Sequence, residues 1–216
     1  MRIDKVILKA VLSTLLAIIV LCGVMVTALV FLYPSTLMEI SYNVGMDSAS
    51  AWFADRAYNQ SDNIYYIGYA TEVAIGAKNP DPEAIEKYGE KFIVDEQFPK
   101  YCAEMDELSA EAGITGSYAQ YIYGQVYTAK YRLGKKTEAV EAAFAVNRDS
   151  FPRNNAVAAV LFAALDDGSG GDIDTMKLLL EGMQELKTQA ADFPDEDLDY
   201  LNALIKLTAE RMDELS

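Results

Sequence analysis

The fold is decided near the start of the chain, where residues 10–33 read AVLSTLLAIIVLCGVMVTALVFLY. The thiol of Cys22 and the phenol of Tyr33 are the only ionisable groups in this stretch. At a rise of about 1.5 Å per residue it reaches ~36 Å as a helix, more than the ~30 Å hydrocarbon core of a bilayer. The alternative is an unusually apolar core helix of a soluble protein. We therefore predict that residues 10–33 form a transmembrane helix in contact with the lipid bilayer.

The charges on either side of this stretch predict its orientation. Residues 1–9 carry three basic side chains and one acidic one, and the next basic residue along the chain is Arg56. Basic residues close to the end of a span favour the cytoplasmic side. Residues 1–9 are therefore predicted to be a short cytoplasmic head, and the bulk of this single-pass protein of the cell membrane is predicted to be extracytoplasmic.

Two processing alternatives bear on the same stretch. A secretory signal has an apolar region of roughly 7–15 residues before small residues at the cut. Val26 and Ala28 satisfy the small-residue rule, but the apolar sequence continues through Leu32. A lipid-modified cysteine needs a small residue before it, and Cys22 follows Leu21. An uncleaved anchor fits best, while cleavage after Ala28, which would release a secreted helical factor, stays open.

The composition of residues 34–216 limits what this part of the chain can bind. The formal charge of the chain is −15. Nucleic-acid binding needs clustered lysine and arginine, so such acidity argues against that class of partner. Cys102 is the only thiol after the apolar stretch, which excludes a disulfide within this part. Pro34 cannot donate within a helix and should end the preceding one. Residues 34–216 are therefore predicted to form a soluble extracytoplasmic domain.

Helical periodicity indicates that this domain is all-α. Apolar residues recur at spacings of three and four, and the period-two alternation of strands is scarce. The run Ala156–Leu165 is too short to cross a bilayer and is predicted to be a buried helix. We expect about eight or nine helices, one of which buries Trp52. Helix starts are predicted from capping patterns at Thr36–Glu39, Asp81–Pro82, Ser117–Gln120, Asp172 or Asp174, and Pro194–Asp195.

Helical hairpins are predicted to begin near residues 117, 153 and 195, a spacing of roughly 36–42 that is typical of stacked helical repeats. One segment, residues 117–152, resembles a tetratricopeptide repeat in its pattern of Tyr123-Gly124, Tyr127, Gly134, Ala139 and Pro152. It departs from that pattern at Gln120, Tyr123 and Ala143. The resemblance implies an α-solenoid of stacked hairpins that binds a protein partner and catalyses no reaction.

Catalytic and cofactor chemistry find little support in the sequence. The chain has no histidine, which removes Ser-His, Cys-His and His-metal arrangements. The acidic loop Asp166–Asp174 has the outline of a calcium loop, but Gly168, Gly170 and Lys177 occupy ligand positions. We predict neither a cofactor nor a metal and expect that the protein is not an enzyme. A hydrolase that uses two carboxylates stays open as an alternative, because the chain has 33 of them.

Tyrosines provide the only candidates for a partner site. Tyr123, Tyr127 and Tyr131 repeat at every fourth residue, on the flank of an apolar stripe. Such rings could line a partner groove, since tyrosine offers a large contact area at little cost in entropy. They could equally pack between neighbouring helices with their hydroxyls at the surface. The sequence predicts a membrane-anchored module that binds an envelope protein or peptide, and it leaves the oligomeric state undecided.

Overall fold

A computed structural model describes residues 2–166 and 172–215, with side chains from Lys9 onward. This part of the chain is helical and contains no strand, which confirms the predicted all-α class. Ten helices follow the first one there, rather than about eight or nine. The helices are α1 (Arg2–Leu32), α2 (Pro34–Asn43), α3 (Asp47–Ser61), α4 (Ile64–Gly76), α5 (Pro82–Ile93), α6 (Phe98–Glu111), α7 (Tyr118–Arg132), α8 (Lys136–Val146), α9 (Ala156–Leu165), α10 (Ile173–Gln189) and α11 (Asp195–Leu215).

The chain divides into two compact units. Unit 1 comprises Met1–Val73 and unit 2 comprises Ala74–Ser216. Unit 1 holds α1, α2, α3 and most of α4. Unit 2 holds α5 to α11 and most of the buried apolar side chains.

In unit 1, helix α1 is long and apolar enough over Lys9–Leu32 to cross a bilayer, and no residue of this segment is buried. A signal sequence near the N-terminus would meet the same criteria. The helix ends at Leu32, as predicted, because Pro34 cannot continue it. The predicted capping box at Thr36 and Glu39 is wrong: Pro34 is already the first residue of α2, and Tyr33 precedes it as the N-cap.

Helices α2 and α3 pack against each other in unit 1. The hydroxyl of Ser50 lies at their contact, where it donates to the Met38 carbonyl at 3.0 Å. The expectation that Trp52 is buried is wrong, since 42% of this residue is exposed. The side of α3 that faces the packed interior carries the small buried residues Ala51 and Ala54. Trp52 lies outside that side.

Unit 2 is built around α7. This helix contacts α5, α6, α8 and α9, while α10 packs on α8, α9 and α11. Ion pairs join α5 to the α7 region, with Lys130 Nζ at 2.5 Å from Glu90 and Lys135 Nζ at 2.7 Å from Glu86. The predicted buried helix Ala156–Leu165 is confirmed as α9, with its exposed side at Phe162. Neighbours on several sides of α7 leave it little free surface.

Local capping chemistry begins several helices where the sequence predicts. Asp81 accepts a hydrogen bond from the Glu83 N–H at 3.0 Å and begins α5. Asp172 accepts from the Thr175 N–H at 3.2 Å and begins α10. A carboxylate in this position satisfies a backbone donor that has no partner within its helix. Residues 167–171 of the predicted acidic loop lie outside the described residues.

Candidate functional site

A cleft of about 510 Å³ opens in unit 2 between α7 and α9; we call it the α7–α9 cleft. The end of α6, the α6–α7 loop, the residues before α9 and a tyrosine of α11 complete its walls. A volume of this size suits a small ligand or a few side chains of a peptide. Its lining residues are Asp106, Ser109, Ile114, Thr115, Gly116, Ser117, Tyr118, Gln120, Tyr121, Gly124, Gln125, Arg153, Asn154, Asn155, Ala158, Ala159, Phe162 and Tyr200.

Three large apolar side chains on the walls of the cleft are open to solvent. Ile114 is 64% exposed, Phe162 49% and Tyr121 46%. They come from three different elements: the α6–α7 loop, α9 and α7. Single exposed apolar residues are ordinary on a protein surface, but several around one concave site are typical of a binding surface. These side chains could contact apolar groups of a ligand on opposite sides of the cleft.

Small residues let α7 and α9 approach closely beneath the cleft. A Cβ atom placed on Gly124 would lie 3.0 Å from the Cβ of Ala159, closer than nearly all real contacts. Both residues line the cleft, and so does Ala158. The base is therefore made of tightly packed backbone and methyl groups, and it offers a rigid surface.

Gln120 holds three helices together at the edge of the cleft. Its Oε1 accepts a hydrogen bond from Asn147 Nδ2 at 3.0 Å, at the end of α8. The same oxygen accepts from the Ala156 N–H at 3.2 Å, in the first turn of α9. The oxygen is thus already used, which leaves the amide nitrogen as the side-chain atom of Gln120 that could donate to a ligand in the cleft. The arrangement fixes this donor before any ligand binds.

Two further hydrogen-bonded turns order the loops around the cleft. Asn155 caps α9 by accepting from the Ala158 N–H at 2.8 Å, and its Nδ2 donates to the Pro152 carbonyl at 2.7 Å. On the other side, Asp106 of α6 accepts from the Tyr118 N–H at 2.6 Å. The loops are therefore held to the helices that they join, which keeps the entrance of the cleft in one geometry.

The structure packs the three predicted tyrosines on a different face of α7. The rings of Tyr123 and Tyr127 stack with centroids 5.9 Å apart, and Tyr123 also contacts Phe98 of α6. Tyr127 and Tyr131 are buried. Burial raises the pKa of Tyr127 to about 12, with a smaller contribution from Tyr123. Tyr131 directs its hydroxyl to Asp172 Oδ2 at 3.2 Å.

This burial differs from the expectation that these tyrosines lie on the flank of the core stripe. The physical reason is that α5, α6 and α8 also pack on α7 and cover that flank. Packing between helices, the second of the two alternatives, describes their surroundings. A role for Tyr123, Tyr127 and Tyr131 in a partner groove stays a prediction.

The thiol of Cys102 and the carboxylates of the described residues form no reactive or metal-binding arrangement. Cys102 is buried in α6, and burial raises the pKa of its thiol to about 12, with a further contribution from Asp106. A thiol with such a pKa is protonated at neutral pH and a poor nucleophile. Among the side chains that the structure describes, residues 9–166 and 172–215, no three cysteine or carboxylate groups lie close enough together to hold a metal ion.

Sequence reasoning did not find the α7–α9 cleft. Its walls come from three stretches of the chain, residues 106–125, residues 153–162 and Tyr200. The patterns within it, the Ser117–Gln120 cap and Gly124 of the repeat-like segment, predict helix starts and helix packing and do not indicate a cleft. No family model matches the chain, and comparison with curated proteins and with solved structures finds no match either.

Proposed function

We propose that this chain is a membrane-anchored, non-catalytic protein-interaction module of the cell envelope, and that the α7–α9 cleft binds its partner. The single observation that carries the proposal is the cleft itself. Exposed apolar walls at Ile114, Tyr121 and Phe162 surround a polar edge that is already ordered by Gln120. Apolar contact supplies affinity in such a site, and a few fixed polar groups supply orientation.

The occupant that suits this cleft is an extended segment of a partner protein with at least one large apolar side chain. Apolar walls on opposite sides would hold that side chain. The amide nitrogen of Gln120 would donate to a backbone carbonyl of the segment, which is the acceptor that any peptide presents. At the α9 end of the cleft the exposed Arg153 could pair with an acidic residue of the segment, while Asp106, on the α6 side, already accepts from the Tyr118 N–H.

The anchor in this proposal is α1, inserted over residues 10–33 with residues 1–9 in the cytoplasm and residues 34–216 outside. Support comes from the length and exposure of the apolar helix and from the basic residues ahead of it. An apolar helix of this length with no buried residue would be strongly unfavourable in water.

For unit 2 we propose a stacked helical-hairpin arrangement of the tetratricopeptide-like kind. Helices α7, α9 and α11 begin at Tyr118, Ala156 and Asp195, close to the predicted hairpin starts. Contacts between α7 and α8, α8 and α9, α9 and α10, and α10 and α11 are the neighbour contacts of such an array. Arrays of this kind bind peptides on an extended concave face.

Site-specific photocrosslinking in the native membrane tests the role of the cleft. A photoreactive phenylalanine analogue replaces Phe162 in one variant, Tyr121 in a second and the exposed Val94 of unit 2 in a control. Val94 does not line the cleft. We expect a discrete adduct of the same partner from the two cleft positions and none from Val94. Equal crosslinking at all three positions, or none in the cleft, would reject the proposed site.

Cell fractionation and mass analysis test the anchor. We expect the full-length protein in the membrane fraction, with its N-terminus intact, and we expect external protease to digest residues 34–216 in spheroplasts. A mature chain that begins after Ala28 would instead support the secreted factor, the alternative that the small residues at Val26 and Ala28 favour.

A further inference from the structure

The end of α1 is held by side chains of α3 within unit 1. Arg56 Nε donates to the Val30 carbonyl at 3.0 Å, and Gln60 Nε2 donates to the Phe31 carbonyl at 2.7 Å. The last carbonyls of a helix have no donors within that helix, and lipid supplies none. The positive charge of Arg56 also lies at the negative end of the helix dipole. Helix α3 therefore caps α1 and stays beside its last turn.

Arg56 also brings two aromatic rings together at this point. Its guanidinium carbon lies 3.9 Å from the centroid of the Phe31 ring and 5.8 Å from the centroid of the Trp52 ring. Phe31, Tyr33 and Trp52 all remain exposed. We call Phe31, Tyr33, Trp52 and Arg56 the interface patch. It joins the end of the apolar helix directly to the first helices of the folded part.

The residues that follow α1 carry almost no charge as far as Asp47. Between Lys9 and Asp47, Glu39 is the only charged side chain. Four apolar residues near the end of α2 and in the turn after it are exposed in unit 1: Ile40, Tyr42, Val44 and Met46. A soluble surface normally places charges among such side chains. Here only Glu39 and Asp47, on either side, are charged, and so sparse a charge suits an environment less polar than water.

We propose that the interface patch lies in the headgroup region of the outer leaflet of the bilayer that α1 crosses. The proposal rests on the anchor described above. The apolar helix is ~36 Å long and the hydrocarbon core ~30 Å thick, so its last residues reach the headgroups. Tryptophan and tyrosine prefer this layer because their rings are apolar and their N–H and O–H groups polar. An arginine there keeps its stem in the apolar layer and its guanidinium at the interface.

Trp52 makes the proposal directly measurable, because it is the only tryptophan in the chain. The full-length protein is reconstituted in phosphatidylcholine–phosphatidylglycerol vesicles that contain lipids brominated either near the headgroup or near the end of the acyl chains. We expect a loss of Trp52 fluorescence that is larger with the shallow bromine than with the deep one. Partial shielding from acrylamide, an aqueous quencher, should accompany it.

A matched variant separates this proposal from the anchor. Leu21→Trp in a Trp52→Phe background moves the single tryptophan to the middle of the apolar helix, and we expect stronger quenching by the deep bromine. If this variant is quenched and Trp52 is quenched by neither lipid, the interface patch is rejected and the anchor stands. If neither tryptophan is quenched, the anchor fails. Shielding of Trp52 from acrylamide and from both lipids would indicate that protein, either a second copy of the chain or the chain's own fold, covers it, and would also reject the proposal.

Discussion

Replacing Asp172 with asparagine should weaken unit 2 in a way that depends on pH. Asp172 Oδ2 accepts hydrogen bonds from Lys136 Nζ at 2.7 Å, Thr175 Oγ1 at 2.6 Å and Tyr131 Oη at 3.2 Å. Its side chain is 8% exposed. The carboxylate thus links α7, α8 and α10. Asparagine is also a good N-cap residue, so the substitution removes the charge and keeps the cap of α10.

The pKa of Asp172 gives the size of the effect. Burial acts to raise the pKa, but hydrogen bonds from Lys136 and Thr175 outweigh it and lower the pKa from 3.8 to about 2. A difference of this size between the folded and unfolded states corresponds to about 2 kcal/mol of stability near pH 7. Because the folded-state pKa is the lower one, this contribution is complete above about pH 5 and is lost as the pH falls through 2. About half of it is gone near pH 3.

Urea unfolding of the full-length protein in detergent micelles, followed by far-ultraviolet circular dichroism, measures this contribution at several pH values. Asp172→Asn should cost about 2 kcal/mol near pH 7 and about 1 kcal/mol near pH 3. Asp174→Asn is the matched control, because Asp174 is an exposed acid in the first turn of the same helix. If the loss of stability in Asp172→Asn does not depend on pH, or if Asp174→Asn loses as much, the stability does not come from the ionised Asp172 carboxylate.

Three further predictions concern the interior of unit 2. Gly89→Ala should destabilise the unit by about 1 kcal/mol, because the new methyl meets the buried Val126 side chain and overpacking outweighs the gain in helix propensity; urea unfolding measures it. Cys102 should react with thiol reagents at neutral pH only after denaturation, since it is buried and its pKa is about 12; native labelling within minutes would contradict this. Gln120→Leu should lower the free energy of unfolding by about 1–3 kcal/mol, because it leaves the buried Asn147 without an acceptor for its Nδ2. An unchanged urea midpoint would show that the hydrogen bond between Gln120 and Asn147 does not stabilise the unit.

Features that depend on neighbouring residues along the chain were predictable from the sequence. The end of α1 before Pro34, the caps at Asp81 and Asp172, and the helix over Ala156–Leu165 follow from proline geometry, unpaired backbone donors and apolar composition. The exception at Thr36 is also local in origin. The proline at the first helical position competes with the capping pattern, and the helix begins at the proline.

Features that depend on which helices meet were not predictable in the same way. The burial of Tyr127 and Tyr131 requires helices on both sides of α7, and helix periodicity reports only one buried face. The exposure of Trp52 follows from which side of α3 packs against α2, and no pattern within α3 specifies that side. Such contacts join residues far apart in the chain, so their partners cannot be inferred from spacing.

At the candidate site, Gln120 takes part both in a local helix cap and in a contact with distant helices. The capping pattern correctly predicts that Ser117 begins α7, where its hydroxyl accepts from the Gln120 N–H at 3.4 Å. A capping box would also return the Gln120 side chain to the Ser117 N–H. That N–H belongs to a half-exposed residue that water can reach, whereas Asn147 is fully buried and would lose its partner. An unsatisfied buried group costs more than a bond exchanged with water, so the side chain crosses to α8 and α9. The position of Gln120 at the edge of the α7–α9 cleft is therefore fixed by the cost of leaving the buried Asn147 without a partner. A substitution at Asn147 should change the position of the Gln120 side chain, although Asn147 does not line the cleft.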